Sequence, residues 1–194
     1  MTSVREAALD LFRARGMTTI FGNPGSTELP MLASFPADFR YVLALHEGVA
    51  VGMADGFAQA SGCPAHVNLH TAPGVGNGMG AIFNAQANHS PVLITAGQQA
   101  RSLMTLQANL TNRDATRVPE SLVKWSFEPP RAQDVPLALA RALHLAALPP
   151  RGPVFLSIPM DDWDAEADEA DVAHHVARTG AGRAAPAREE VAAL

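Results

Sequence analysis

Apolar and polar positions along the chain change their period several times. In "SVREAALDLFRARG", Val4, Ala7, Ala8, Leu11 and Phe12 recur at helical spacing. Ser3 stands ahead of them as an N-cap with Glu6 three residues on, and Gly16 ends the run. "MTTIF" then reads as a short strand, and "ELPMLASF" as a short helix in which Pro30 is admissible only near the first turn. "YVLALH" (Tyr41 to His46) is an unbroken apolar run, the pattern of a strand buried on both faces. "EGVAVGMADGFAQASG" follows with small residues at helical spacing, closed by Gly62. "PAHVNLHT" predicts a strand, "GVGNGMGAIFNAQANH" a helix opened by glycine, and "PVLITAGQ" another strand. Residues 101–120 have no clean period and read as a long polar loop. "AQDVPLALARALHLAAL" predicts a helix and "GPVFLSIP" a last strand.

Apolar, non-alternating strands that alternate with helices predict an α/β domain. Its sheet should be open and mainly parallel, with helices on both faces. After Pro159 the composition shifts to Ala, Asp, Glu and Gly. The expected organisation is therefore one domain over 1–160, then an acidic, Ala-rich linker over 161–194. Its last residues, "AREEVAAL", resemble the start of a helix belonging to a next domain. A helix that short is not stable alone, so the chain reads as the N-terminal piece of something longer.

Composition narrows the function class. With 194 residues, 47% hydrophobic and 17% charged, the chain can bury a real core. A net charge of −5 and a pI near 5.7 argue against non-specific nucleic-acid binding. No apolar run approaches the ~18 residues of a membrane span. Cys63 is the single cysteine, which rules out an intramolecular disulfide and points to a reducing, cytoplasmic setting.

In an open parallel sheet, ligands bind outside the carboxyl ends of the strands. The residues just after each predicted strand are therefore the candidates. They are Asn23, Pro24, Gly25 and Ser26 after the first, and Glu47 after the second. His70, Thr71 and Gly74 follow the third, and Gln98 and Gln99 the fourth. Each has a plain structural reading. A glutamate in a first helical turn gains roughly 0.3–1 kcal/mol from the helix dipole. A histidine at a strand end is commonly a hydrogen-bonded structural residue, Ser26 could be an N-cap, and Asn-Pro-Gly could be a turn. Their convergence on one edge favours a site.

Two other motifs compete. Gly76, Gly78 and Ala81 spell G-x-G-x-x-A after a strand, the pattern of a Rossmann-like nucleotide-binding module. No acidic residue follows at the ribose-binding distance, which weakens it. "DDWD" (Asp161 to Asp164) could bind a metal, although an exposed acidic loop is the simpler expectation.

The segments "FGNPGSTELP", "ALHEGVAVGMADGFAQASG", "NLHTAPGVGNGMGAIFNAQANHSPVLITAGQQ" and "GPVFLSIPMDDWD" together resemble the N-terminal, pyrimidine-binding domain of thiamine-diphosphate-dependent decarboxylases. The likeness is strongest to the benzoylformate decarboxylase branch and covers roughly residues 1–165. It implies thiamine diphosphate as cofactor, with Mg²⁺ whose ligands lie in a C-terminal diphosphate-binding domain. It implies decarboxylation of an aromatic 2-keto acid. Glu47 matches the residue that hydrogen-bonds the cofactor's aminopyrimidine ring and so activates the thiazolium C2. Ser26 matches the residue that meets the substrate carboxylate, and His70 a proton relay that also touches substrate. Asn23, Pro24, Gly25, Gly74 and Asn77 match positions around the pyrimidine, and Leu110, beside Asn109, the substrate pocket. The expected partners are a small 2-keto acid, a diphosphate-binding domain or separate chain, and further copies in a homo-oligomer. The alternatives are the non-catalytic half of a split enzyme, acetolactate-synthase-like or another lyase, and the nucleotide-binding module above.

Overall fold

The computed structural model describes residues 2–168. Its centre is one six-stranded parallel sheet in the order β2-β1-β3-β4-β6-β5. The strands are β1 (Thr19–Gly22), β2 (Arg40–Leu43), β3 (Ala65–Leu69), β4 (Val92–Gln98), β5 (Ser126–Phe127) and β6 (Val154–Pro159). The helices are α1 (Val4–Ala14), α2 (Leu29–Leu32), α3 (Glu47–Ser61), α4 (Thr71–Ala87), α5 (Arg101–Met104) and α6 (Val135–Ala147). The α/β class and the helices on both faces are as the periodicity predicts.

Alternation along the buried strands sends successive side chains to opposite faces. Ile20, Leu93, Val154, Leu156 and Ile158 join α1, α2 and α6 in one core. Phe21, Val67, Leu69, Ile94, Ala96 and Phe155 join α3 and α4 in the other. α1 begins with the predicted capping box, Ser3 and Glu6 each holding the other's backbone N–H.

Four expectations need correction. β2 is shorter than "YVLALH" and is an edge strand, so Leu43 is 62% and Leu45 94% exposed rather than buried. α4 starts at Thr71, not at a glycine, because Pro73 sits in the first turn, where no backbone donor is needed. Gly76 and Gly78 therefore lie inside a helix, and a Cβ at Gly78 would touch Leu69 and Val51. They form no phosphate-cradling turn, so the nucleotide-binding alternative loses its structural basis. Finally, the segment from Met160 continues the domain instead of opening a linker. Trp163 and Ala167 are buried, Ala165 accepts from the N–H of Val4, and Ala167 donates to Thr2. The rest of the expected linker, including "AREEVAAL", lies outside the described residues.

Candidate functional site

The strand order reverses at β1, with β2 on one side and β3 on the other. Such a switch point opens a crevice at the carboxyl ends of the strands. The chain leaving β1 and the chain leaving β3 supply its two walls.

After β1, Asn23 to Gly25 lead into a single 3₁₀ turn, Ser26–Glu28, that runs directly into α2. The turn is tightened by Glu28, whose Oε2 accepts the N–H of Gly25 at 2.7 Å. Ser26 is thus a residue of the turn, exposed at its tip, and not its cap. Glu28 is 1% exposed and its carboxylate is fully engaged. Oε1 takes the Thr27 hydroxyl at 2.7 Å and the N–H of Gly97, at the end of β4, at 2.9 Å. Oε2 also lies 2.8 Å from His70 Nδ1.

His70 sits at the N-cap position of α4, its ring across Gly25 and 3.2 Å from Thr27 Oγ1. A methyl at Gly25 would overlap that ring, and one at Gly97 would overlap Glu28 and Thr27. Both glycines are therefore required by close approach. A carboxylate at Nδ1 fixes the tautomer with the proton there and leaves Nε2 as the working nitrogen.

Glu47 opens α3 and is 7% exposed. Its Oε2 accepts from Asn77 Nδ2 at 3.0 Å, and its stem lies against Gly74, whose added Cβ would be 3.4 Å from both Cγ and Oε1. Asn77 and Gly74 belong to α4, and the N–H of Gly74 donates to His70 O at 2.7 Å. The N-cap and opening turns of α4 therefore carry His70, Gly74 and Asn77, and gather Glu47, Gly25 and the Ser26 turn around them. His46, beside Glu47, caps α3 by accepting the N–H of Gly48 at 3.0 Å.

Leu110 lies on the segment between β4 and β5, which is tied to this group through the end of β4. Asp161 to Asp164 do not gather around a metal. Asp162 is buried against the Arg101 guanidinium, Asp164 pairs with Arg5, and Asp161 accepts the N–H of Arg101. Among the described residues no group of three or more His, Cys, Asp or Glu side chains is placed to hold a metal ion.

Glu28 escaped the sequence reading. Its one local signal is its place three residues after Gly25, the spacing of a capping-box glutamate. Its other partners, His70 and Gly97, are 42 and 69 residues away.

A parallel sheet with a buried glutamate at a helix N-terminus beside its switch point defines a class, and comparison with known proteins names it. Residues 2–117 match the family "Thiamine pyrophosphate enzyme, N-terminal TPP binding domain", and the chain belongs to that family. Over all 194 residues it is 58% identical to benzoylformate decarboxylase from Pseudomonas aeruginosa. It is 32% identical over 164 residues to a probable acetolactate synthase large subunit from Methanocaldococcus jannaschii, 84% of this chain and 28% of that one. The solved structure of the thiamine diphosphate-dependent 4-hydroxybenzoylformate decarboxylase of Rhodococcus jostii superposes with a TM-score of 0.95 at 48% identity, covering 99% of this chain and 36% of that one. The benzoylformate decarboxylase of Polynucleobacter necessarius superposes with a TM-score of 0.93 at 47% identity, covering 98% and 35%. The chain spans 37% of the length of the Pseudomonas enzyme.

The residues present fit the family's cofactor. Glu47 offers a buried carboxyl whose Oε2 is held by Asn77 and whose Oε1 meets no donor among the described residues, so it can share a proton with a ring nitrogen.

Proposed function

We propose that this chain is the pyrimidine-binding part of a thiamine-diphosphate-dependent decarboxylase of aromatic 2-keto acids, with benzoylformate as the reference substrate. The observation that carries this reading is the half-satisfied carboxylate of Glu47. A carboxylate oriented by one neutral amide, at a helix N-terminus and mostly shielded from water, keeps its remaining lone pairs for a ligand. When bound, thiamine diphosphate supplies a nucleophilic carbon that adds to the keto group and accepts the electrons released with carbon dioxide.

The chain's own side chains do the remainder. Glu47 would share a proton with the cofactor's pyrimidine nitrogen, its carboxyl donating to the neutral ring and its carboxylate accepting once that nitrogen carries the proton. Gly74 and Asn77, which pack against Glu47, would hold the pyrimidine together with the turn Asn23-Pro24-Gly25. Ser26, exposed at the tip of its turn, donates its hydroxyl to the substrate carboxylate. His70, its Nδ1 proton held by Glu28, presents Nε2 to give and take protons at the reacting carbon.

Mg²⁺ and the diphosphate are held by the diphosphate-binding domain. Leu45 and Val49, 94% and 55% exposed on either side of Glu47, form the apolar surface on which that domain sits. With the diphosphate-binding domain on that surface supplied by another subunit, the assembled protein is an oligomer.

The test is calorimetric titration of thiamine diphosphate with Mg²⁺ into the assembled protein stripped of cofactor, diphosphate-binding domain included, and into this chain alone. Micromolar binding by the assembled protein, and at least hundredfold weaker binding by the isolated chain, is the expected result. Equal affinity would contradict the shared site. Carbon dioxide release from benzoylformate by the holoprotein checks the substrate.

A further inference from the structure

The segment between β4 and β5 has little regular structure, yet it is pinned at chosen points. Gln98, fully buried at the end of β4, pairs with the backbone of Asn112 on both sides. Its Nε2 donates to Asn112 O at 2.8 Å, and its Oε1 accepts the N–H of Asn112 at 2.9 Å. Glu128 fixes that amide's orientation, since its Oε2 accepts from Gln98 Nε2 at 3.1 Å and from the Ser157 hydroxyl at 2.6 Å. Gln99 repeats the device one residue on. Its Nε2 donates to Asn109 O at 2.8 Å while its Oε1 accepts the N–H of Ala100 at 2.9 Å.

Between the two clasped residues stands Leu110, with φ at 72°. A leucine in the left-handed region is strained, and such strain persists only where the surroundings over-determine it. The two glutamines supply that constraint from either side. The preceding residue, Gly97, donates its N–H to Glu28, which holds His70. Three consecutive residues at the end of β4, Gly97 to Gln99, therefore set the position of the His70 pair and of the Leu110 backbone together.

We propose that Gln98 and Gln99 are positioning residues that hold the strained Leu110 as an apolar wall of the substrate site, and so set its preference for aromatic over small 2-keto acids. This rests on the decarboxylase reading given above. Leucine offers a branched apolar surface that a flat ring can cover and a methyl group cannot. Held by two clasps, the wall cannot retreat to fit a smaller side chain.

Gln99→Glu keeps the acceptor for Ala100 but turns a donor into an oxygen facing Asn109 O. In the holoenzyme this variant should lower the ratio of kcat/KM for benzoylformate over pyruvate about tenfold or more, mainly through a higher KM for benzoylformate. Amide hydrogen exchange at residues 109–112 should rise by about tenfold or more. Leu110→Gly and Leu110→Ala lose the same side-chain contacts, but only glycine relaxes φ. The glycine variant should therefore be the more stable, by about fivefold or more in the folding equilibrium, the reverse of the usual order.

An unchanged ratio with unchanged loop exchange in Gln99→Glu would overturn the proposal, as would an alanine variant more stable than the glycine one. Parent enzyme that turns over neither acid would overturn the decarboxylase reading and the specificity role with it. In that case the exchange rates and the glycine–alanine order still judge the clasp itself.

Discussion

The turn after β1 and the N-terminus of α3 each place a buried glutamate at the same edge of the sheet, and they differ in how many donors they meet. Glu28 receives four: the N–H groups of Gly25 and Gly97, the Thr27 hydroxyl and the His70 ring. Among the described residues Glu47 receives one, from Asn77. An ionised carboxylate has about four acceptor positions. Glu28 is therefore saturated, has nothing left for a ligand, and acts only through the histidine it orients. Glu47 keeps most of its capacity. Residue type and burial do not separate the two, but unused hydrogen-bonding capacity does.

The largest effect should follow from neutralising the open glutamate. Glu47→Gln in the holoenzyme should lower kcat for benzoylformate by about 10²–10⁴-fold, with a thermal midpoint close to the parent's. A large fall in midpoint would mean that Glu47 is structural after all.

Glu28→Ala should show the opposite balance. Leaving several buried donors without an acceptor should cost about 3 kcal/mol in denaturant unfolding. A loss below about 1 kcal/mol would show that the saturated network is not what holds the turn.

His66 sharpens the comparison by isolating acid sensitivity beneath the site. It is fully buried on β3, with Nε2 2.8 Å from Thr95 Oγ1, and burial pushes its pKa down to about 3 from 6.5. Below pH 6.5 the unfolded chain gains a proton that the folded chain refuses. Stability is complete above that pH and falls by about 1.4 kcal/mol per unit as pH drops toward about 3. At pH 5 the loss should be about 2 kcal/mol, and His66→Gln should remove it from urea titrations. A slope that survives the substitution would assign the acid sensitivity to other groups.

The smallest effect belongs to Asn77→Ala. It removes the side chain that holds Glu47 Oε2 and should weaken cofactor binding by about 1 kcal/mol, or roughly fivefold, in calorimetry.

Much of this arrangement could be read from the sequence, for physical reasons that also mark its limits. β4 and β6 are buried on both faces, so their apolar runs announce them, and β3 is announced by Ala65, Val67 and Leu69 although it also buries His66 and Asn68. β2 shows the same kind of run but lies at an edge, and composition alone does not reveal which strand has a neighbour. β5 is two residues long and exists only because Ser126 and Phe127 meet β6. Pro73 and Gly74 look like helix breakers, yet they fall in the opening turns of α4, where the helix tolerates them. Asp162 reads as an exposed acid because its partner, Arg101, lies 61 residues away. At the site, Glu47, His70 and Ser26 were visible as polar residues following strands. Glu28 was not, because two of its four donors, His70 and Gly97, stand 42 and 69 residues away and only folding brings them in. The glutamine clasps were hidden likewise, since Gln98 and Gln99 gain meaning only from the backbone of Asn109 and Asn112.

The difference between the two glutamates can be measured directly as the rate of hydrogen–deuterium exchange at C2 of thiamine diphosphate bound to the holoenzyme. Glu47→Gln should slow that exchange by about 100-fold or more, whereas Glu28→Gln should leave it within about threefold of the parent. Equal slowing in both variants, or slowing in Glu28→Gln alone, would contradict the division of roles between the open carboxylate and the saturated one.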